Sequence, residues 1–341
     1  RSVDDVTYDV IALYEEKSLE EIENELSYSK EDIEEAYKEV TSLKEEGLLF
    51  TEDIYEDYIK EVKSRKTVVK ALCLHIAHDC NLACRYCFAE EGEYKGHREL
   101  MSAKVGKAAL DFLVANSGNR HNLEVDFFGG EPTMNFGVVK EVVEYGRSLE
   151  EKHNKHFRFT LTTNGVLLND EIMEFANKEM DNVVLSVDGR KEIHDYMRPT
   201  RNGKPSYDLI MPKFIRFAES RHQQKYYVRG TFTNRNLDFS KDVLHLADLG
   251  FEQISMEPVV GQPEEPYAIQ EKDLPQIFDE YDRLAKEMIK REKAGKGFNF
   301  FHFMIDLTGG PCVAKRLSGC GSGTEYLAVH HGEIYILVTS L

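Results

Sequence analysis

From residue 71 onward the chain repeats one unit: an apolar strand-like run, a polar or glycine-rich turn, then an amphipathic helical stretch. Strands are expected at "LCLHIA" (72–77), "LEVDFFG" (123–129), "FRFTLTTN" (157–164), "NVVLSVD" (182–188), "YYVRGTFT" (226–233) and "QISMEPV" (253–259). Helical spacing of apolar residues places helices near 102–116, 136–154, 170–179, 206–222 and 238–249. A crossover helix returns the chain to the same end of each strand, so six such units in series predict a parallel α/β sheet. Turn residues cluster after the strands, in "HDCNLAC", "GGEPT", "NG" and "DGR", which places the ligand site at the C-terminal ends of the strands.

The first of those turns carries the chemistry. "AHDCNLACRYCFAEEG" (77–92) holds Cys80, Cys84 and Cys87 in a C-x₃-C-x₂-C array, with Tyr86 and Phe88 beside the last thiol. Three thiols crowded into eight positions suit a metal better than disulfides. Two readings are open: zinc with His78 or Asp79 as fourth ligand, or a cubane iron–sulfur cluster with one iron left without a protein ligand. Cys73 alternates inside an apolar strand and reads as a buried free thiol.

Composition narrows the partners. The 341 residues carry 43 Lys and Arg against 61 Asp and Glu, a net charge of −18. Residues 1–60 alone hold 6 against 20, so this segment repels phosphate backbones and nucleic acid is not an expected partner. No run approaches the roughly 20 apolar residues of a membrane span, and no signal peptide is visible, so a cytoplasmic protein is expected. Ser18 and Ser29 are expected helix N-caps and Gly47 a helix stop. Ile33, Ala36, Tyr37, Val40 and Leu43 form an apolar helical stripe between them. Three short helices ending in "GLLFTED", with a strand there, predict a small winged-helix-like module over 1–60. A basic helical connector follows at 61–70, then the repeating units at 71–260, then a helical linker and glycine-rich tail at 261–341.

The cysteine array, followed one strand later by "GGEP", resembles the signature of the radical S-adenosylmethionine enzymes. The resemblance implies a partial (β/α)6 TIM-type barrel, a [4Fe-4S] cluster on Cys80, Cys84 and Cys87, and S-adenosylmethionine chelated to the open iron. It implies that an electron from the cluster breaks the sulfonium bond and releases a 5′-deoxyadenosyl radical. It also implies that Tyr86 lies along the adenine, that Gly129, Gly130 and Glu131 receive the amino group, and that Arg198 in "HDYMRP" binds the methionine carboxylate. Thr162 and Asn164 in "LTTNG", and Ser186 and Asp188 in "LSVDG", stand where the ribose would pass.

The tail "CVAKRLSGCGSGTEYLAV" resembles the start of a SPASM extension, which makes Cys312 and Cys320 candidate ligands of an auxiliary [4Fe-4S] cluster. The pattern's next glycine falls at Gly332, but its next cysteine position is Leu337, so an incomplete extension is expected. The N-terminal helices resemble the leader-recognition domain of enzymes that modify ribosomally made peptides, without its opening sheet. Taken in order, these segments look closest to the maturases of SCIFF peptides. That resemblance implies thioether formation between a cysteine sulfur and the α-carbon of an acceptor, threonine above all. Its implied partners are a Cys-rich precursor peptide and an electron donor such as ferredoxin or flavodoxin. An anaerobic sulfatase maturase, oxidising Cys or Ser to formylglycine, is the nearest alternative. A metal-stapled winged-helix regulatory protein is the alternative from another class.

Overall fold

The computed structural model describes residues 3–52, 67–94, 96–305, 321, 323–330 and, for the backbone, 334–335. The chain divides into two compact units, 1–66 and 67–341.

In the first unit, α1 (Asp5–Leu13), α2 (Leu19–Glu25) and α3 (Lys30–Glu45) close around Val10, Ile22, Ile33, Ala36 and Val40. Each helix starts where a side chain satisfies a free backbone donor. Asp4 accepts from Thr7 N at 2.8 Å, Glu21 reaches back to Ser18 N at 2.8 Å, and Ser29 Oγ accepts from Asp32 N at 3.1 Å. Gly47, at φ 68°, follows the end of α3 as expected. The strand expected in "GLLFTED" does not form over 47–52. Phe50 instead turns left-handed (φ 52°) and stacks on Tyr14, with ring centroids 5.5 Å apart.

The second unit is built on a mostly parallel sheet. Its strands are β1 (Ala71–His78), β2 (Glu99–Leu100), β3 (Asn122–Gly129), β4 (His156–Thr163), β5 (Asn182–Ser186), β6 (Tyr226–Phe232), β7 (Gln253–Pro258), β8 (Asn299–Phe300), β9 (Tyr326–Val329) and β10 (Ile334–Tyr335). They lie in the order β10-β9-β1-β3-β4-β5-β6-β7-β8, with β2 antiparallel on β1. Every step from β1 through β3 to β7 moves one strand in the same direction. The helices that make these steps are α4 (Ala103–Asn116), α5 (Phe136–His153), α6 (Asp170–Glu179), α7 (Lys191–Met197), α8 (Tyr207–Ser220) and α9 (Ser240–Asp248); α10 (Leu274–Lys293) follows β7.

Alternation assigns the two faces. Leu72, Leu74, Ile76, Val125, Phe127, Phe157, Phe159, Leu161, Val183, Leu185, Val228 and Ile254 point to the helices and form the core. The other face carries Cys73, His75, Asp126, Thr162, Ser186 and Arg229. Cys73 is a free thiol as expected, on the face away from the helices: it lies across from Asp126, whose Oδ2 accepts from the Tyr326 hydroxyl at 2.8 Å, and burial pushes the thiol pKa up to about 12.

Three further departures have physical reasons. The connector expected to be helical forms no helix at 67–70, where Val69 N and Lys70 N bond instead to Asn116 O and Glu325 O; its 61–66 portion is outside the described residues. β5 stops at Ser186, and Asp188 opens the loop beyond it. Strand β9, parallel to β1 from Ala71↔Tyr326 to Leu74↔Val329, lies in the segment read only as a glycine-rich tail. Cys312, Cys320, Gly332 and Leu337 are outside the described residues. No helix among the described residues is long and apolar enough to cross a membrane.

Candidate functional site

The three-cysteine loop is pinned from three sides. Ala83 N and Arg85 N donate to Pro199 O and Met197 O at 2.8 and 2.9 Å, and Arg85 Nε donates to Tyr196 O at 2.7 Å, with the guanidinium 4.4 Å from the Tyr196 ring. At its start, Asp79 Oδ1 accepts from Cys80 N at 2.9 Å and pairs with Arg201, with Arg98 3.7 Å away. Beside Cys80, Asn164 Nδ2 donates to Asn81 Oδ1 at 2.7 Å and lies 3.6 Å from the Cys80 sulfur. An open cleft of about 640 Å³ flanks the loop, lined by Asn81, Thr200, Arg201, Asn202 and Lys204 among others.

The "GGEP" turn packs directly beneath. Gly130 N donates to Ala77 O and Glu131 N to Asp79 O, both at 2.8 Å. This approach requires glycines: a Cβ on Gly130 would lie 2.1 Å from Asp79 O, and one on Gly129 (φ 118°) 2.5 Å from Ala77 O. Gly92 closes the contact from above, since its own Cβ would meet the Gly130 Cα at 2.9 Å. Glu131 is 1% exposed, and its carboxylate accepts four hydrogen bonds: Thr133 N (3.0 Å), Thr133 Oγ1 (2.5 Å), Thr163 Oγ1 (2.7 Å) and Asn164 N (2.7 Å). Burial raises its pKa against the opposing pull of these bonds. Three of these bonds converge on Oε1 and one on Oε2, so Glu131 ties the end of β3 to the end of β4 while Oε2 keeps an acceptor site.

On the other side, Asp188 is fully buried and gathers three donors. The Tyr86 hydroxyl bonds at 2.7 and 2.8 Å to its two oxygens, Arg198 Nε at 3.0 Å and Thr231 N at 3.1 Å. The Arg198 guanidinium carbon lies 5.4 Å from the centre of the Tyr86 ring. Burial pulls the Arg198 pKa down, but Asp188, Tyr86 and Cys84 together outweigh it and the net shift is upward. Only Nε is engaged among the described residues, so the rest of the planar fork stays available. His194 supports the arrangement: its Nδ1 accepts from Asp188 N at 3.3 Å, which leaves Nε2–H to face Ser206 Oγ at 3.0 Å.

The expected residues therefore fall into two groups. Cys80, Cys84, Cys87, Gly129, Gly130, Glu131 and Asn164 belong to one contiguous set of contacts, and Tyr86, Asp188 and Arg198 to another that joins it through the loop. Thr162 and Ser186 share the face of the sheet opposite the helices, and neither makes a side-chain hydrogen bond among the described residues. Sequence reasoning missed Gly92, Thr133, Thr163, Asn81 and Arg201. The position of Asn81 directly after the first motif cysteine was a usable signal; Arg201 offered none.

The donor set itself discriminates between metals. Burial pushes the Cys80 thiol up to about 11 and the Cys84 thiol up to about 12, and each of the three cysteines lies within electrostatic reach of another. Such thiols become thiolates when a cation replaces their protons. Among the described residues neither expected fourth ligand joins the thiols: Asp79 is spent on Arg201 and Cys80 N, and the imidazole of His78 groups with those of His75 and His330 instead. Asn81 Nδ2 is buried without a hydrogen-bond partner, a donor left for something at the site. Three thiolates, an open position and a spare donor fit an iron–sulfur cluster with a coordinated small molecule.

Comparison with known proteins agrees. The Radical SAM superfamily model matches residues 74–221. An uncharacterized protein of Methanocaldococcus jannaschii is 30% identical over 223 residues, covering 64% of this chain and 71% of the relative. A cysteine-type anaerobic sulfatase-maturating enzyme of Clostridium novyi is 29% identical over 216 residues. That match covers 59% of this chain and only 56% of the enzyme. Among solved structures, anSMEcpe with bound AdoMet superposes with a TM-score of 0.64 at 20% identity, covering 80% of this chain and 75% of that one. Streptococcus suis SuiB bound to precursor peptide SuiA gives 0.56 at 16% identity, covering 99% and 77%. The chain belongs to the radical SAM superfamily, and its cofactors are a [4Fe-4S] cluster and S-adenosylmethionine.

Proposed function

We propose that this chain is a peptide maturase that joins a cysteine sulfur to the α-carbon of an acceptor residue, threonine above all, in a ribosomally made, Cys-rich SCIFF precursor in the cytoplasm. The observation that carries this reading is the reach of the similarity to SuiB, which takes in 99% of the chain and so includes the N-terminal helices. The match to anSMEcpe covers 80%. An acidic helical unit ahead of the catalytic sheet suits leader-peptide recognition.

In this reading β1 and β3–β7 curl into a partial barrel with the cofactors at the C-terminal ends of its strands. Cys80, Cys84 and Cys87 hold three irons. The group supplies one-electron cleavage of the sulfonium bond of S-adenosylmethionine. Gly129, Gly130 and Glu131 receive the amino group, the glycines through their backbone and Glu131 through the acceptor site left on Oε2. Tyr86 lies along the adenine, Thr162, Asn164, Ser186 and Asp188 line the ribose, and the free side of the Arg198 fork meets the carboxylate. Cys312 and Cys320 belong to an auxiliary [4Fe-4S] cluster, and ferredoxin or flavodoxin delivers electrons. Replacing one C–H and one S–H bond by a C–S bond removes two hydrogens from the peptide: one would leave as the hydrogen atom taken up by the 5′-deoxyadenosyl fragment of S-adenosylmethionine, the other as the thiol proton, with the remaining electron accepted by the auxiliary cluster. What the protein contributes is alignment and exclusion of water.

The test is anaerobic turnover with a Cys-rich precursor. A mass loss of two hydrogens per crosslink, with the cysteine no longer alkylatable, supports the reading. The 29% identity to the Clostridium enzyme favours a second reading, oxidation of Cys or Ser to formylglycine. An aldehyde captured by a hydrazide from a sulfatase-derived peptide, with no crosslink in the precursor, would replace the first reading by the second.

A further inference from the structure

A second cluster of metal-binding side chains lies on the same sheet, apart from the cysteines. On a regular strand His75 and His78 would point to opposite faces, being three residues apart. In β1 the pairing to β3 slips: His75 lies opposite Phe128, but Ala77 lies opposite Gly129, so Ile76 is an extra residue. This bulge inverts the alternation and returns His78 to the side of His75. Their rings are 5.6 Å apart. His330, the residue after β9, completes the group, with its ring 4.7 Å from His75 and 4.6 Å from His78. The three residues offer one nitrogen each, all within 4.8 Å of one another.

The surroundings suit a cation held by neutral ligands. His75 and His78 are 4% and 3% exposed. The Nδ1 of His75 is buried with no hydrogen-bond partner among the described residues. Packing of the tilted Tyr94 ring, its centroid 4.6 Å away, fills space but leaves that nitrogen unsatisfied, and an unpaired buried polar atom is costly. Burial also keeps the His75 imidazole neutral, the form that ligates. Tetrahedral zinc with Zn–N bonds near 2.0 Å needs nitrogens about 3.3 Å apart, a contraction that small ring rotations supply.

We propose that His75, His78 and His330 bind one divalent transition-metal ion of the zinc class through three imidazoles, leaving a fourth coordination position open. Three imidazole ligands select zinc-type ions over calcium or magnesium. The site's ligands are different residues from the cluster cysteines, although His78 stands two positions before Cys80 and Tyr94 packs on His75 and His78 and also against Phe88, next to Cys87. It does not depend on which peptide chemistry the protein performs.

The experiment uses the iron–sulfur-loaded protein, incubated with zinc sulfate, passed over a weak chelating resin and analysed for zinc and iron. Zinc K-edge X-ray absorption follows. The expected result is one zinc per chain with unchanged iron, a nitrogen shell near 2.0 Å with imidazole scattering, and no sulfur shell near 2.3 Å. The zinc should be lost in His330→Gln and His78→Gln proteins whose circular dichroism matches the parent. Absence of retained zinc, a sulfur shell, or full retention in His330→Gln would each overturn the assignment. The absorption spectrum of the unaltered protein decides the question even if a variant misfolds.

Discussion

Asp188→Asn should be among the most destabilising isosteric substitutions in the second unit. Asp188 is 0% exposed and the Arg198 side chain 12%, so their 3.0 Å contact is a buried ion pair with little solvent to screen it. The amide keeps its size and can still accept from Tyr86 and Thr231. It removes the countercharge, however, and can turn an NH₂ group toward the guanidinium. Stranding one buried charge costs about 3–5 kcal/mol, and the slight exposure of Arg198 favours the lower end of that range. Removing the guanidinium as well should restore most of the loss, because a neutral pair of similar volume is roughly isoenergetic with the ion pair. The two substitutions should therefore be coupled by more than about 2 kcal/mol. Urea denaturation of the parent, Asp188→Asn, Arg198→Met and the double variant measures this, with m-values checked for constancy. A single Asp188→Asn loss under about 1 kcal/mol, or a double variant whose loss equals the sum of the singles, would show that the pair is not the buried strut described above.

Other outcomes follow from the same geometry. Gly130→Ala forces a Cβ to within 2.1 Å of a backbone oxygen and disrupts two 2.8 Å hydrogen bonds, so it should cost about 2–4 kcal/mol and lower cluster loading. Gly137→Ala, with nothing within 4 Å, should be neutral or slightly stabilising by the same denaturation assay. Burial, opposed by Asp188, lowers the His194 pKa from the ordinary 6.5 to about 4. A depressed folded-state value means the unfolded chain binds the proton first, so stability is lost as pH falls from about 6.5 to about 4. The loss should reach about 2 kcal/mol by pH 5, and His194→Gln should flatten that part of the profile. Replacing Cys80, Cys84 or Cys87 by Ala should abolish formation of 5′-deoxyadenosine under reducing anaerobic conditions, whereas Cys73→Ala should leave it intact.

The parallel sheet was legible because each strand's apolar run is local and separated by a helix long enough to show its period. Expected and observed bounds differ by one or two residues for β1, β3, β4, β5, β6 and β7. What escaped was short or non-local. "KEIHDYM" is only seven residues, too few for a periodic stripe, and α7 went unread. "YLAV" becomes β9 only because β1, some 250 residues earlier, offers it an edge. Propensity does not encode a pairing at that distance.

The site divides along the same line. The polar ends of the expected strands located Thr162 and Asn164 at the end of β4 and Ser186 and Asp188 at the end of β5, and in the structure Asn164 and Asp188 lie just past those strands. What each side chain does there depends on residues far away in sequence. Asn164 is held by Asn81, Asp188 by Tyr86 and Arg198, while Thr162 and Ser186 are left without such partners. The His75–His78 pair shows the limit most clearly. Read by alternation the two rings diverge, and only one extra residue in the β1–β3 register brings them together. A register slip is invisible to any pattern along a single strand, because it is a property of two strands. A site that depends on such a slip must be found from the paired backbone, which is why the cysteine loop, a purely local pattern, was legible and the histidine cluster beside it was not.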